Sequence, residues 1–330
     1  MKQVIFWFYT MFLFGCTVST DTDKASRWKK VSESLVESCD SLKIADVHSL
    51  SCLAYANALL HGWNHPLTQG RLNALHSSIA LNGYGLGYSY DAFQDGTMNP
   101  ATTNYTVTIT DHVGLVLIEG YKNGVVPKSE INKLVVALEK VPNADNLTPG
   151  ICFAYSDNLN DSVGCVHNVN ISVAVFYQEL INTGLKNDTF NQRVSMILER
   201  EQFAYNDFSK NYPYWDGSSQ LTDQNHLAFQ AWCLYQHDNP ETKEIAQQII
   251  ENLVNNREQS ISALIGHLRI MPYNDKNSDE LLTELESIIN NQSKLTTHGS
   301  YDLNNPRILA QFAMHSTVYW SLIVKQNTLE

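Results

Sequence analysis

Three stretches of this chain repeat one arrangement: an aromatic loop that ends in Asp, then a helix whose first turn carries His, Asn or Asp. The loops are Tyr88-Ser89-Tyr90-Asp91, Phe153-Ala154-Tyr155-Ser156-Asp157 and Tyr212-Pro213-Tyr214-Trp215-Asp216. The helix starts are Asp111-His112, His167-Asn168 and Asp223-Gln224-Asn225-His226. Imidazoles beside carboxylates are the groups that move protons at neutral pH. Aromatic faces with amides and carboxylates between them suit a sugar, because rings cover C–H faces while polar groups read hydroxyls.

Each candidate also has a structural reading. Asp111 and His112 are sequence neighbours, and neighbours on an α-helix do not share a face. They are therefore expected to act separately, or Asp111 or Thr110 caps the helix. His167, Asn168 and Asn170 form either a proton carrier beside hydroxyl-binding amides or a polar cluster tying down a loop. Asp223 and His226 are three apart, share a face and make the best local acid–base pair; otherwise they cap the helix and brace the Trp215 loop. Asp91, Asp157 and Asp216 are acid candidates or Asx-turn residues. Tyr90, Tyr155, Tyr214 and Trp215 are ring candidates for stacking, and His298, Tyr301 and Asp302 belong to the last loop of the same kind. His48 is a weaker candidate. Asp111, His112, His167, Asp223 and His226 are thus the catalytic candidates. Tyr90, Asp91, Tyr155, Asn168, Tyr214, Trp215, Asp216 and Tyr301 are the substrate-binding ones.

Apolar residues recur with helical period over roughly 25–39, 46–61, 68–82, 108–122, 127–140, 168–183, 188–206, 221–237, 240–255, 259–270, 277–290 and 305–325. Asn239-Pro240 and Asn305-Pro306 place a capping side chain before a proline that fits the first helical position. Gly124 and Gly184 follow apolar runs and suit C-caps. Segments 127–140, 240–255 and 277–290 carry charged faces, whereas 46–61, 108–122, 168–183, 221–237 and 305–325 are apolar nearly all round and so belong inside. Links out of the apolar helices are short. The links into them at 83–107, 141–167, 207–220 and 291–304 are long, as functional loops are.

Alternating buried and half-exposed helices with long loops at one end resemble the (α/α)6 toroid of carbohydrate-active proteins: glycosidases, polysaccharide lyases and uronate epimerases. The resemblance covers 25–325 and rests on architecture and cleft composition; no family-specific catalytic signature accompanies it. It implies an all-α fold of six inner and six outer helices, with the cleft at the N-terminal end of the inner helices. The implied function is glycoside hydrolysis or polysaccharide elimination by acid/base catalysis, and the alternative is a non-catalytic protein holding a glycan, peptide or partner protein. Terpene cyclases share the shape, but the chain has no DDxxD. Elimination also needs a cation to neutralise a uronate. Basic residues at the helix-start end are few (Lys210, Lys294 and Arg307), which weakens that reading. No HExxH or comparable spacing calls for a metal, and no cofactor is expected.

A net charge of −12 disfavours a nucleic-acid partner. The 43% of apolar residues fits a folded chain. Lys2 and the apolar run Val4–Phe14 read as an export signal over residues 1–15, ending in Leu-Phe-Gly-Cys, which resembles a bacterial lipobox with Cys16 lipidated. A tether over 16–24 and a single domain over 25–330 would follow. The expected setting is the cell envelope, on the periplasmic or outer-membrane face, with a polysaccharide or glycoconjugate as partner and an envelope protein as another. Export permits disulfides: Cys152–Cys165 across the second aromatic loop, and Cys39–Cys52 between neighbouring helices, with Cys233 a buried thiol.

Overall fold

The computed structural model describes residues 22–327 except 43, 45, 94, 146–148, 159–160, 162–163, 186–187 and 298–300. The export signal, Cys16 and His298 lie outside the described residues.

The described chain is an all-α (α/α)6 toroid. Six outer helices are α1 (Thr22–Asp40), α3 (Pro66–Asn82), α5 (Lys128–Leu138), α7 (Asp188–Ala204), α9 (Pro240–Asn255) and α11 (Ser278–Ile289). Six inner helices are α2 (Val47–His61), α4 (Val113–Lys122), α6 (His167–Asn182), α8 (Gln224–Tyr235), α10 (Ile261–Ile270) and α12 (Pro306–Asn327). Each inner helix packs on the next around the ring, and α12 closes it against α2. A two-stranded antiparallel ribbon, Asn143–Asp145 with Cys152–Phe153, sits in the loop before α6.

Burial follows the character of the segments. In α6 every residue from His167 to Tyr177 is buried, as expected of a helix with neighbours on all sides. In α9 one stripe is buried (Thr242, Ala246, Ile249, Ile250, Leu253, Val254) and the rest faces water. Asn239 caps α9 through the amides of Glu241 and Thr242, with Pro240 at the first position. Gly124 and Gly184 take the left-handed backbone that ends α4 and α6.

Ahead of α4 the chain makes a π-helical turn, Thr108–His112, in which the Val113 amide reaches back five residues to the Thr108 carbonyl. Two packing facts hold that wider turn. A Cβ on Gly114 would collide with the Ile109 carbonyl oxygen and the Phe176 ring of α6. Thr110 shares a 2.6 Å hydrogen bond with Ser172 of α6. Neither Thr110 nor Asp111 caps the helix, so the capping alternative is set aside.

Cys152 and Cys165 are joined, with their Cα atoms 5.6 Å apart. Cys39 and Cys52 are not joined; both are buried free thiols, as is Cys233. The rotation of α2 explains the correction. Cys52 Sγ lies within 4.8 Å of ring nitrogens of His48 and His112 at the hollow, whereas Cys39 sits near Arg71, burial pushing its thiol up to about 12.

Candidate functional site

The four long loops meet over the starts of the inner helices, and their side chains form a series of contacts. Phe93 packs on Tyr155 and on Trp215, with ring centres 4.9 and 6.2 Å apart. Tyr105 lies edge-on to both Tyr90 and Tyr155. Tyr214 stands perpendicular to Trp215 and to His226, at 5.5 Å each. Asn225 donates to the Tyr301 hydroxyl at 3.1 Å. Arg307, in the first turn of α12, reaches the Tyr88 hydroxyl at 3.5 Å and lies 5.9 Å from the Tyr90 ring, which joins the α12 start to the first loop. Tyr90, Phe93, Tyr155, Tyr214, Trp215 and Tyr301 are each half-buried.

Beneath the rings lies a polar floor built by four stretches: α2, the turn ahead of α4, α10 and α12. His48 and His112 stack face to face, 3.4 Å apart and 12° from parallel. Arg307 donates to His48 Nδ1 from Nη2 at 2.8 Å and from Nε at 3.1 Å. That nitrogen is therefore an acceptor, and the His48 ring proton sits on Nε2. Asp111 Oδ2 is 3.0 Å from His112 Nδ1 and 3.6 Å from Arg269 Nη1. The first contact falls within the π-helical turn, and at that distance it is an ion-pair approach that completes no hydrogen bond. The expectation that Asp111 and His112 act apart is corrected by that geometry.

Electrostatics sort these groups. Burial raises the Asp111 carboxyl, but Arg269 and His112 outweigh it and hold the pKa at about 2, so Asp111 is ionised. Burial lowers His112, and Arg269 and Arg307 add to it against the pull of Asp111; the ring is neutral at pH 7. His48 is pushed down by burial, by His112 and by both arginines. His315 on α12 is lowered by burial and by Arg269. Arg269 lies over the Phe229 ring at 4.2 Å. Among the described residues its Nε and Nη1, and Nε2 of His315, complete no hydrogen bond. Arg269 and His315 were missed in the sequence because they stand deep in apolar helices, away from the starts. A lone charge in Ile-Ser-Ala-Leu-Ile-Gly-His-Leu-Arg-Ile was the available sign.

At the rim, Asp223 caps α8 through the amides of Asn225 and His226, accepts from Ser262 Oγ at 3.0 Å and pairs with His226 Nδ1. Burial lowers His226, but Asp223 more than offsets it and raises the imidazole. Asp223 itself is held well below the usual carboxylate range, its burial outweighed by His226.

His167 belongs elsewhere. It is fully buried, with Nδ1 3.2 Å from Glu201 Oε2 on α7 and Nε2 3.3 Å from Asp216 Oδ1. Asp216 also pairs with Arg200, and Asn170 donates to Glu201 and Ile151 and accepts from the Phe153 amide. Burial opposes the charge on His167, yet Glu201 and Asp216 raise it to about 9. Asn168 is buried in the same turn. Asp91 accepts from the amides of Asp95 and Gly96, Asp157 from Asn104, and Asp302 from Asn304, so these three shape loops. Lys210 pairs with Asp207 away from the cleft.

Among the described residues, two groups of side chains have metal-ligand proximity: His48–Cys52–His112 and Cys165–His167–Glu201. The second loses its sulfur to the disulfide. In the first, His48 has no lone pair to give, since Nδ1 accepts from Arg307 and Nε2 carries the proton.

No protein-family model matches the chain, and no curated protein matches it in sequence. Solved structures do match in shape. A GH76 α-mannanase from Bacteroides thetaiotaomicron superposes with a TM-score of 0.53 at 13% identity, covering 89% of this chain and 96% of that one. The GH76A α-1,6-mannanase of Salegentibacter sp. HEL1_6 gives 0.56 at 11% identity, over 89% and 99%. An inactive variant of that mannanase, with two consecutive aspartates changed to asparagine and α-1,6-mannotriose bound, gives 0.56 at 12%, over 90% and 99%. The fold is thus the toroid of carbohydrate-active proteins, as the helix pattern implied.

Proposed function

We propose that the cleft takes in a glycan and works on it by acid–base catalysis centred on imidazoles. The observation that carries this is the neutral His48–His112 stack under a series of half-buried rings, with His112 set by an ionised Asp111. A His112 that turns Nδ1–H toward Asp111 presents Nε2 as a base. His226 at the rim is raised rather than lowered. Environments that push two groups apart in pKa separate the base from the acid. His112 then accepts the proton and His226 with Asp223 supplies one, while Tyr90, Tyr155, Tyr214, Trp215 and Tyr301 hold the sugars.

Hydrolysis by two free carboxylates is less well supported. Such enzymes need a pair of carboxyl groups flanking the bond, about 5–9.5 Å apart. Here Asp111 is bound to Arg269, Asp216 to Arg200, and Asp223 to His226 and the α8 start. The chain also contains no two consecutive aspartates, the feature changed in the inactive mannanase. The same observations favour a second reading, a glycan-holding cleft without turnover, over an α-mannanase.

Turnover on a panel of neutral and acidic glycans decides the first reading: wild type should act on at least one and His112→Gln on none. Binding without turnover would leave the second. The apolar segment 4–14 with Cys16, and the oxidised Cys152–Cys165, support export and lipid anchoring in a bacterial envelope. Palmitate labelling that survives Cys16→Ser would remove the anchor.

A further inference from the structure

The chain has seven arginines, and six of them hold a carboxylate, as Arg269 holds Asp111. Arg307 is the exception: among the described residues it makes no ion pair. It is also the one that stands in the cleft mouth. In a protein carrying −12 overall, acidic side chains are plentiful, so an arginine left without one is a site held open. Its fork is only partly used. Nε and Nη2 donate to His48 and one Nη1 hydrogen reaches Tyr88, which leaves two of five N–H groups unspent. Arg307 and Tyr88 line a groove of about 440 Å³ between the α2 and α12 starts, roomy enough for one sugar residue. Asp46, on the same wall, spends one carboxylate oxygen on the Ser49 amide at the α2 N-terminus and acts on Arg307 through space, without the contact of an ion pair.

We propose that the glycan is acidic and that Arg307, with Tyr88, takes the carboxylate of a hexuronate residue. This rests on the glycan reading of the cleft. A guanidinium fork matches a carboxylate in two parallel hydrogen bonds, which a neutral hexose cannot offer. The groove meets the imidazoles through Arg307, whose guanidinium holds His48 with His112 stacked behind it. The scarcity of basic residues that weakened the uronate reading in the sequence is offset by the placement of this one.

The test is calorimetric titration with oligogalacturonate, oligomannuronate and a glucuronate oligosaccharide, each beside its carboxyl-reduced neutral counterpart, a sulfated galactan oligosaccharide and α-1,6-mannotriose. Wild type should bind at least one uronate ten- to a hundredfold more tightly than its reduced form. Arg307→Gln should remove that difference by weakening the uronate at least tenfold more than its reduced form, with a melting midpoint near wild type; Arg307→Lys should restore part of it. Equal binding of acid and reduced forms, preference for the sulfated probe, or selectivity that survives Arg307→Gln would overturn the proposal. Binding of mannotriose alone would sink this proposal and keep the glycan reading, whereas no binding to any probe would sink both.

Discussion

Two histidine clusters sit at the same end of this toroid and differ in nearly everything but composition. His167 is held between Glu201 and Asp216, and is charged. His48 and His112 are stacked on each other beside two arginines, and are neutral. The first cluster ties three elements together: the α6 start, α7 through Glu201 and Arg200, and the Trp215 loop through Asp216. It leaves no proton to move, because each ring nitrogen of His167 faces a carboxylate. The second leaves polar atoms of Asp111, His112, Arg269 and His315 without hydrogen bonds among the described residues. Unmet polar groups at a cleft floor are costly, and such cost is kept where a ligand or catalysis repays it. His167 Nε2 and Arg200 Nε in the first cluster also complete no hydrogen bond among the described residues, so charge rather than pairing separates the two: an imidazolium between carboxylates braces the frame, and a neutral imidazole stack forms the site.

The largest separation expected is between His112→Gln and His167→Ala. The first should lower turnover by about 10²–10⁴-fold, the range for loss of a general base, while the urea midpoint stays near wild type. The second should cost about 3–5 kcal/mol of stability, because it strands Glu201 as a buried charge, whereas Asp216 keeps Arg200. If His112→Gln unfolded the protein and His167→Ala left it intact but inactive, the two roles would have to be exchanged.

Reduction of Cys152–Cys165 bears first on the brace, and on the rings only through the Tyr155 loop that the bridge closes. The bridge spans 13 residues, and closing a loop of that size in the unfolded chain is worth about 3 kcal/mol. Cys152→Ser should lower the denaturation midpoint accordingly and leave glycan binding by the floor in place. An unchanged midpoint would mean that the His167 cluster already fixes the loop.

The pH dependence of stability separates charged from neutral histidines. His167 has its pKa raised from 6.5 to about 9, so its contribution is complete below 6.5 and is lost as pH climbs through 9. His237 and His267 are buried and lowered from 6.5 to about 4 by desolvation. Their contribution is complete above 6.5 and is lost as pH falls through 4. Urea denaturation from pH 4 to 10 should give a dome, and His167→Gln should flatten only its alkaline side. An alkaline slope unchanged in that variant would show that His167 is not the charged group.

The brace and the site were not equally legible in the sequence. Helices were readable because their signals are local: Asn239-Pro240 starts α9 at the expected residue, and the apolar runs of α6 and α12 had to be interior. The meeting of the aromatic loops followed from the alternation of long and short links. The π-helical turn was not readable, since the spacing of Thr108–His112 fits an α-helix equally well. Its extra residue is imposed from outside by Gly114 against Phe176 and by Thr110 on Ser172. With the turn went the Asp111–His112 contact. Arg269 was hidden for a related reason, because a helix position nine residues from its start says nothing of which partner lies across the hollow. Cys52 shared the ambiguity, as helix rotation rather than spacing turned it away from Cys39.

The smallest effect expected on stability is at the rim, where the pair is partly exposed. Asp223→Asn keeps a good N-cap for α8, since asparagine caps as well as aspartate, and removes only the charge beside His226. An exposed pair of this kind is worth about 1 kcal/mol or less, so the fold should barely notice. The pH–rate profile should notice. His226 is raised because Asp223 outweighs its burial; without that charge, burial acts unopposed and the imidazole drops. If His226 is the acid and His112 the base, the alkaline limb moves to lower pH in Asp223→Asn, while the acid limb, set by His112 on the floor, stays. An acid limb that moved instead would place the base at the rim and make the stacked histidines part of the frame.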